Sequence, residues 1–169
     1  GLRSGGLKVL AKTTGSAPRI IDENGKDLVI HRLRTPSIGE QVKLLRFFAD
    51  RKPDAVVMEC MAVDPQYQWI SEHKMVQSHI GVITNVRPDH LEEMGPGMKE
   101  VTCSLSNSIP KDGHFLTVPS PFNEYLQSVS SERNSTFHEV NTDDITADYL
   151  AQFPFLEHDE NVALALKIC

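Results

Sequence analysis

Asp54-Ala55-Val56-Val57-Met58-Glu59-Cys60 is a short apolar run that ends in a carboxylate. Its length and its valines read as a strand buried on both faces of a parallel sheet. A helical period precedes it: Ile38, Val42, Leu45 and Phe48 recur at helical spacing, Leu44 widens the stripe, and Pro53 stops it. Ser37 opens this helix, and Glu40 three residues later completes a capping box. Downstream, residues 64–76 read as helix and Ile80-Gly81-Val82-Ile83-Thr84-Asn85-Val86 as a second buried strand. Helical periods over 97–106 and 121–130 alternate with strands over 115–118 and 137–140. The tail from about Asp143 reads as helix interrupted at Pro154. Upstream, residues 8–14 read as a strand broken by Gly15 and Pro18. Residues 19–21 and 28–31 flank Asn24-Gly25, a strong hairpin signal. Strands alternating with helices predict an α/β fold, a largely parallel sheet flanked by helices with a small β-hairpin insertion.

Composition narrows the classes. The 169 residues suit a single domain with a full core. Seventeen basic against 23 acidic residues give a net charge of −6, which argues against a nucleic-acid reader. No apolar run approaches the roughly 18 residues of a membrane span. Cys60, Cys103 and Cys169 are an odd, widely spaced set and point to a reducing compartment rather than a disulfide scaffold. The start, Gly1-Leu2-Arg3-Ser4, has neither a signal-peptide pattern nor a Met, as expected of a processed chain or a piece of a longer one.

In an open α/β sheet, ligands bind beyond the carboxyl ends of the strands. The exits here are Lys12-Thr13-Thr14, Glu59, Thr84-Asn85 followed by Arg87-Pro88-Asp89-His90, Ser120, and Asn141-Thr142. Glu59 is the sharpest of them. A carboxylate at the end of a buried strand is costly unless it is paired or metal-bound. It reads either as a solvent-facing strand end or as a hard-cation ligand. His90 reads as a surface histidine or as a ligand whose ring Asp89 orients; Asp89 serves equally as a helix N-cap. Lys12, Thr13 and Thr14, with Gly15 and Ser16 after them, offer hydroxyls and an ammonium to phosphate or carboxylate oxygens. Gly95 and Gly97 around Pro96 mark a tight loop. Glu157-His158-Asp159-Glu160-Asn161 looks like a metal box and reads better as a solvated helix start. Tyr67 and Trp69 read as core or as a helix-start staple.

Leu10-Ala11-Lys12-Thr13-Thr14-Gly15, Val57-Met58-Glu59-Cys60-Met61-Ala62-Val63, and Ile83-Thr84-Asn85-Val86-Arg87-Pro88-Asp89-His90-Leu91 with Met94-Gly95 resemble the catalytic subunits of poly-γ-glutamate synthases. These belong to the Mur-ligase-like, ATP-dependent amide ligases, with folylpolyglutamate synthetases as cousins. The resemblance runs from about Val9 to the tail, where residues 157–165 are similar to the helix that closes the family's central ATPase domain. It implies that a carboxylate takes the γ-phosphate of ATP to become an acyl phosphate, and that the amine of glutamate then displaces phosphate. It also implies roles. Glu59 and His90 would be the catalytic metal ligands, Glu59 for the Mg²⁺ between the β- and γ-phosphates and His90 for a second Mg²⁺. Asn85 would brace that loop, Asn161 would stand on the nucleotide side, and Lys12, Thr13 and Thr14 would line the acceptor side. Implied partners are glutamate, the growing poly-γ-glutamate and membrane-bound synthase or export subunits, in the cytoplasm at the inner face of the membrane.

Two departures qualify the resemblance. The family's GxxGKS phosphate loop is absent from the sequence, as is its C-terminal domain, and Gly1–Gly6 looks like the turn after that loop's helix. The position fifteen residues after His90, where several Mur ligases carry a carbamylated lysine, is Leu105. The expectation is a truncated central domain, inactive alone, with an exposed apolar patch and self-association. The alternatives are a folylpolyglutamate-type ligase and a non-catalytic binding or assembly module on the same fold.

Overall fold

The computed structural model describes residues 1–14, 17–31 and 38–169, with the side chain of Ile38 left out. The break expected at Gly15 and the cap expected at Ser37 lie outside the described residues. The chain gathers into two compact units, Gly1–Met61 and Ala62–Cys169.

The first unit is built on β1 (Val9–Lys12), which lies antiparallel to β2 (Arg19–Ile21) and parallel to β4 (Ala55–Met58). With β3 (Asp27–Val29) the order is β3-β2-β1-β4. The β2–β3 hairpin forms where Asn24-Gly25 predicts it, and Asp22 organises the loop. Its backbone carbonyl accepts from the Gly25 amide, its amide donates to the Lys26 carbonyl, and its carboxylate accepts from the Asn24 and Lys26 amides. Only Gly25 in this loop is left-handed (φ 83°), the arrangement of a three-residue hairpin loop.

Helix α1 (Ile38–Arg51) makes the crossover to β4. Its buried face is Gln41, Leu44 and Phe48, and Leu44 and Phe48 pack on the fully buried Leu10. The expected stripe through Val42 is displaced, because Val42 is exposed and Leu44 lies at the centre of the face. The reading of β4 as buried on both faces also fails. It is the terminal strand of its sheet, Met58 packs toward α1, and Val56 and Val57 stand exposed, Val57 at 51%. A continuous apolar run has the same appearance in sequence whether its second face is covered or open.

The second unit is a three-stranded parallel sheet, β5 (Ile80–Ile83), β6 (His114–Thr117) and β7 (Thr136–Glu139), in that order. Alternate residues of β6 point to opposite faces. Phe115 joins Ile83, Ile109, Leu126 and Val129 on one face, and Leu116 joins Val118, Val140, Ala163 and Leu164 on the other. Helices α5 (Asn123–Glu132) and α7 (Asp159–Ile168) supply those two layers. The remaining helices are α2 (Pro65–Ile70), α3 (Leu91–Met94), α4 (Met98–Ser106) and α6 (Ala147–Leu150). The interruption expected around Pro154 falls between α6 and α7.

Two readings change in this unit. β5 is the terminal strand and alternates, with Gly81 and Ile83 buried and Ile80 and Val82 exposed. Gly81 is required by close packing, since a Cβ there would stand 2.5 Å from Pro110 Cδ. Helix α2 is capped by the Asp64 carboxylate, which accepts from the Gln66 and Tyr67 amides, with Pro65 at the first position. The helix phase then turns Gln68 inward, followed by Ser71 and Glu72, and leaves Tyr67 and Trp69 exposed rather than in the core. Gln68 is satisfied by the Val63 carbonyl and the Ser104 hydroxyl. Beyond Ile70 the chain continues as a π-helical turn, Ser71–Val76, closed by the Gln77 amide on the Glu72 carbonyl at 2.8 Å. The Glu72 carboxylate takes the amide and hydroxyl of Ser78.

Candidate active site

In the first unit the parallel register of β1 and β4 brings their exits side by side, with Lys12 opposite Met58. The Glu59 amide donates to the Lys12 carbonyl at 3.0 Å and continues the ladder by one residue. The Thr14 amide then donates to Glu59 Oε2 at 2.5 Å. Glu59 is exposed, as its solvent-facing reading requires, yet it is paired. Its Oε1 has no hydrogen bond among the described residues. The Thr13 hydroxyl accepts from the Arg19 amide at 3.2 Å, so this residue ties the exit to the hairpin. Lys12 is 2% exposed and sits beneath the exit rather than at its surface.

In the second unit the exit of β5 is fixed by α7. Asn85 Nδ2 donates to Glu160 Oε2 at 2.9 Å, and the Arg87 guanidinium approaches the same oxygen at 3.3 Å. His90 follows with left-handed backbone, φ 45°, an uncommon conformation that turns the chain into α3. Its exposed ring lies 3.7 Å from Asp89 Oδ1 and 3.9 Å from Glu93 Oε2. The residue at the N-cap of α3 is His90, not Asp89. Gly95 (φ 115°) closes the turn, and a Cβ there would stand 2.4 Å from the Glu100 Cβ.

Asn161 Nδ2 donates to Glu157 Oε1 at 2.9 Å. This bond, followed by that from the His158 amide, holds the Glu157 carboxyl below its ordinary range. The other two exits serve local structure. The Ser120 hydroxyl donates to Asn123 Oδ1, and Asn123 Nδ2 donates to the Val118 carbonyl and to Glu139. Asn141 and Asp143 bond one another.

The structure thus joins Lys12, Thr13, Thr14 and Glu59 at one exit, and Asn85, Arg87 and Glu160 at another, with His90 close along the chain. Glu160 was hidden in the sequence within an acidic run whose His158 and Asp159 do face solvent. The signal that finds it is spatial, since Asn85 and Arg87 both turn to an acceptor more than 70 residues away along the chain. Among the described residues no group of three or more His, Cys, Asp or Glu side chains gathers where it could hold a metal. The exit of the first unit nonetheless fits a magnesium ion, which takes one or two carboxylates and draws its other ligands from phosphate and water. Glu59, anchored through one oxygen and open at the other, meets that requirement.

The family model for the Mur ligase middle domain matches residues 9–166. The chain is 36% identical over 165 residues to the capsule biosynthesis protein CapB of Bacillus anthracis, covering 95% of this chain and 35% of that protein. It is 35% identical over 165 residues to the PGA synthase CapB of Bacillus subtilis strain 168, covering 96% of this chain and 42% of that one. The chain therefore spans well under half the length of these relatives. Among solved structures, Escherichia coli FolC in complex with DHPP and ADP has a similar fold, with TM-score 0.64 at 13% identity over 82% of this chain and 37% of that one. An FPGS–AMPPCP complex follows at TM-score 0.57 and 15% identity, over 82% of this chain and 40% of its own.

Proposed function

The chain belongs to the Mur ligase middle-domain family, and on that premise we propose that it is the central ATPase portion of an ATP-dependent acid–amino-acid ligase that forms γ-glutamyl amide bonds in poly-γ-glutamate. The observation that carries this reading is the family match over residues 9–166, within which Glu59 stands at a strand exit with one carboxylate oxygen anchored and the other open. In the reaction an acceptor carboxylate attacks the γ-phosphorus of ATP, forming an acyl phosphate and releasing ADP. The amine of glutamate then attacks the acyl carbon, the amide forms, and inorganic phosphate leaves with loss of a proton to solvent.

Magnesium, when bound, neutralises the phosphate charge that accumulates in both steps. Glu59 would hold it, presented by the Thr14 amide. His90 would hold or orient a second ion, with Asp89 and Glu93 beside its ring. Asn85, fixed by Glu160, braces the loop that carries His90. Thr13 and Thr14, above the buried Lys12, line the acceptor side, and Asn161 stands on the nucleotide side. The working location is the cytoplasm, at the inner face of the membrane through export partners. No helix among the described residues is long and apolar enough to cross a membrane. The identity to the two CapB proteins favours the polymer over a folate acceptor, since the likeness to FolC is one of fold.

Calorimetric titration of Mg²⁺-ADP into this chain tests the reading, with Glu59→Ala and His90→Ala beside it. Weak binding that both substitutions abolish is expected. No binding by the folded chain, and none when the titration is repeated on a protein of the relatives' full length, overturns it in favour of a scaffold.

A further inference from the structure

His114 opens β6, and His138 stands on the adjacent parallel strand β7. The register pairs Leu116 with His138, so the two histidines are diagonal neighbours on the same face of the sheet. His114 Nδ1 lies 3.1 Å from His138 Nε2, with ring centroids 5.2 Å apart and planes tilted by 42°. Neither ring nitrogen can face the other across that distance with both protonated, so the pair shares one proton or gives it up. Two nitrogens bound to one tetrahedral ion at about 2.0–2.1 Å stand about 3.3 Å apart, close to the separation already present.

We infer that His114 and His138 form a two-imidazole site for a single borderline transition-metal ion of the Zn²⁺, Ni²⁺ or Cu²⁺ class. Neutral imidazole is the ligating form and suits these ions rather than Mg²⁺. Burial first, and then His114, hold His138 below its ordinary range, which keeps that form present at neutral pH. Lys167 is the cation whose charge also reaches His138 and lowers it further. The site lies away from the exit of β5: His114 is at the start of its strand, whereas Asn85 and His90 follow the end of theirs. It is therefore distinct from the Mg²⁺ ligands proposed above. Water completes the coordination.

Calorimetric titration of Zn²⁺ into the chain at neutral pH is expected to show one equivalent bound. His114→Gln and His138→Gln should each lose that equivalent, and His158→Gln should keep it. With Cu²⁺, electron paramagnetic resonance should show two nitrogen ligands. Nitrogen-15 shifts of the unsubstituted protein supply a readout that does not depend on a variant folding: His114 Nδ1 and His138 Nε2 should move together as Zn²⁺ is added. Shifts confined to other histidines, no binding, or binding unchanged in both folded variants overturns the inference.

Discussion

Thr14 and Glu59 meet across two neighbouring strand exits, amide nitrogen to carboxylate oxygen at 2.5 Å. The contact separates two properties of Glu59, its acceptor oxygen and its charge. Glu59→Gln keeps an acceptor for the Thr14 amide and removes the charge; Glu59→Ala removes both. Chemical denaturation should show Glu59→Ala less stable by about 0.5–1.5 kcal/mol and Glu59→Gln close to the parent. Mg²⁺-ADP binding should be lost in both. Binding by Glu59→Gln at parental affinity would show that the charge is not needed.

The Asn85–Glu160 bond fixes the segment leading to His90. Asn85→Asp sets a carboxylate against the Glu160 carboxylate and leaves Arg87 to satisfy both. Stability should fall by roughly 1–3 kcal/mol, and amide hydrogen exchange over residues 84–94 should accelerate before that of the sheet. Uniform acceleration across the second unit would mean that the bond supports the whole unit rather than this loop.

Gly81 lies against Pro110, and an added Cβ would meet the ring at 2.5 Å. Gly81→Ala should destabilise the chain by about 1–3 kcal/mol through displacement of Pro110 and the core residue Ile109 beside it. Thermal unfolding measures this. Restoration by Pro110→Ala in the double variant would assign the loss to that contact.

Two histidines set an acid limit. Burial, followed by the positive charge of Arg133, holds His73 below its ordinary 6.5. His138 is lowered by burial and then by His114. A base whose folded pKa is depressed binds fewer protons folded than unfolded, so stability rises with pH through that window. The urea midpoint should hold steady above the ordinary value and fall as pH drops from 6.5 toward the depressed values. His73→Gln should flatten part of that slope. A midpoint that rises on acidification over the same range would contradict the burial of these rings.

Most elements are legible because their signals are local. The Asp64-Pro65 helix start, the Asn24-Gly25 hairpin and the strand runs each carry their cause within a few residues. What escapes the sequence depends on neighbours. Val56 and Val57 carry the pattern of a fully buried strand, and only their terminal place in the sheet shows them open. Trp69 looks like core by type, but the phase set by the Asp64 cap commits Gln68 to the interior instead. At the candidate site, Glu59 and His90 stand out by position after strands. The partners of Glu59 and Asn85, namely Thr14 and Glu160, lie 45 and 75 residues away along the chain and appear only once the strands and α7 are placed.

The π-helical turn Ser71–Val76 gives the chain a reserve of length. A π turn holds one residue more than the α-helical turn it replaces. Removing a single residue between Ser71 and Val76 would let α2 run on as ordinary α-helix, with Gln68 undisturbed at its start. With Glu72 retained, its carboxylate remains the acceptor for the Ser78 amide and hydroxyl just before β5. In this segment a one-residue gap is expected to fall without shifting a strand. An alignment that places the gap inside β5 instead would slip Gly81 away from Pro110 and turn every later side chain of that strand to the wrong face.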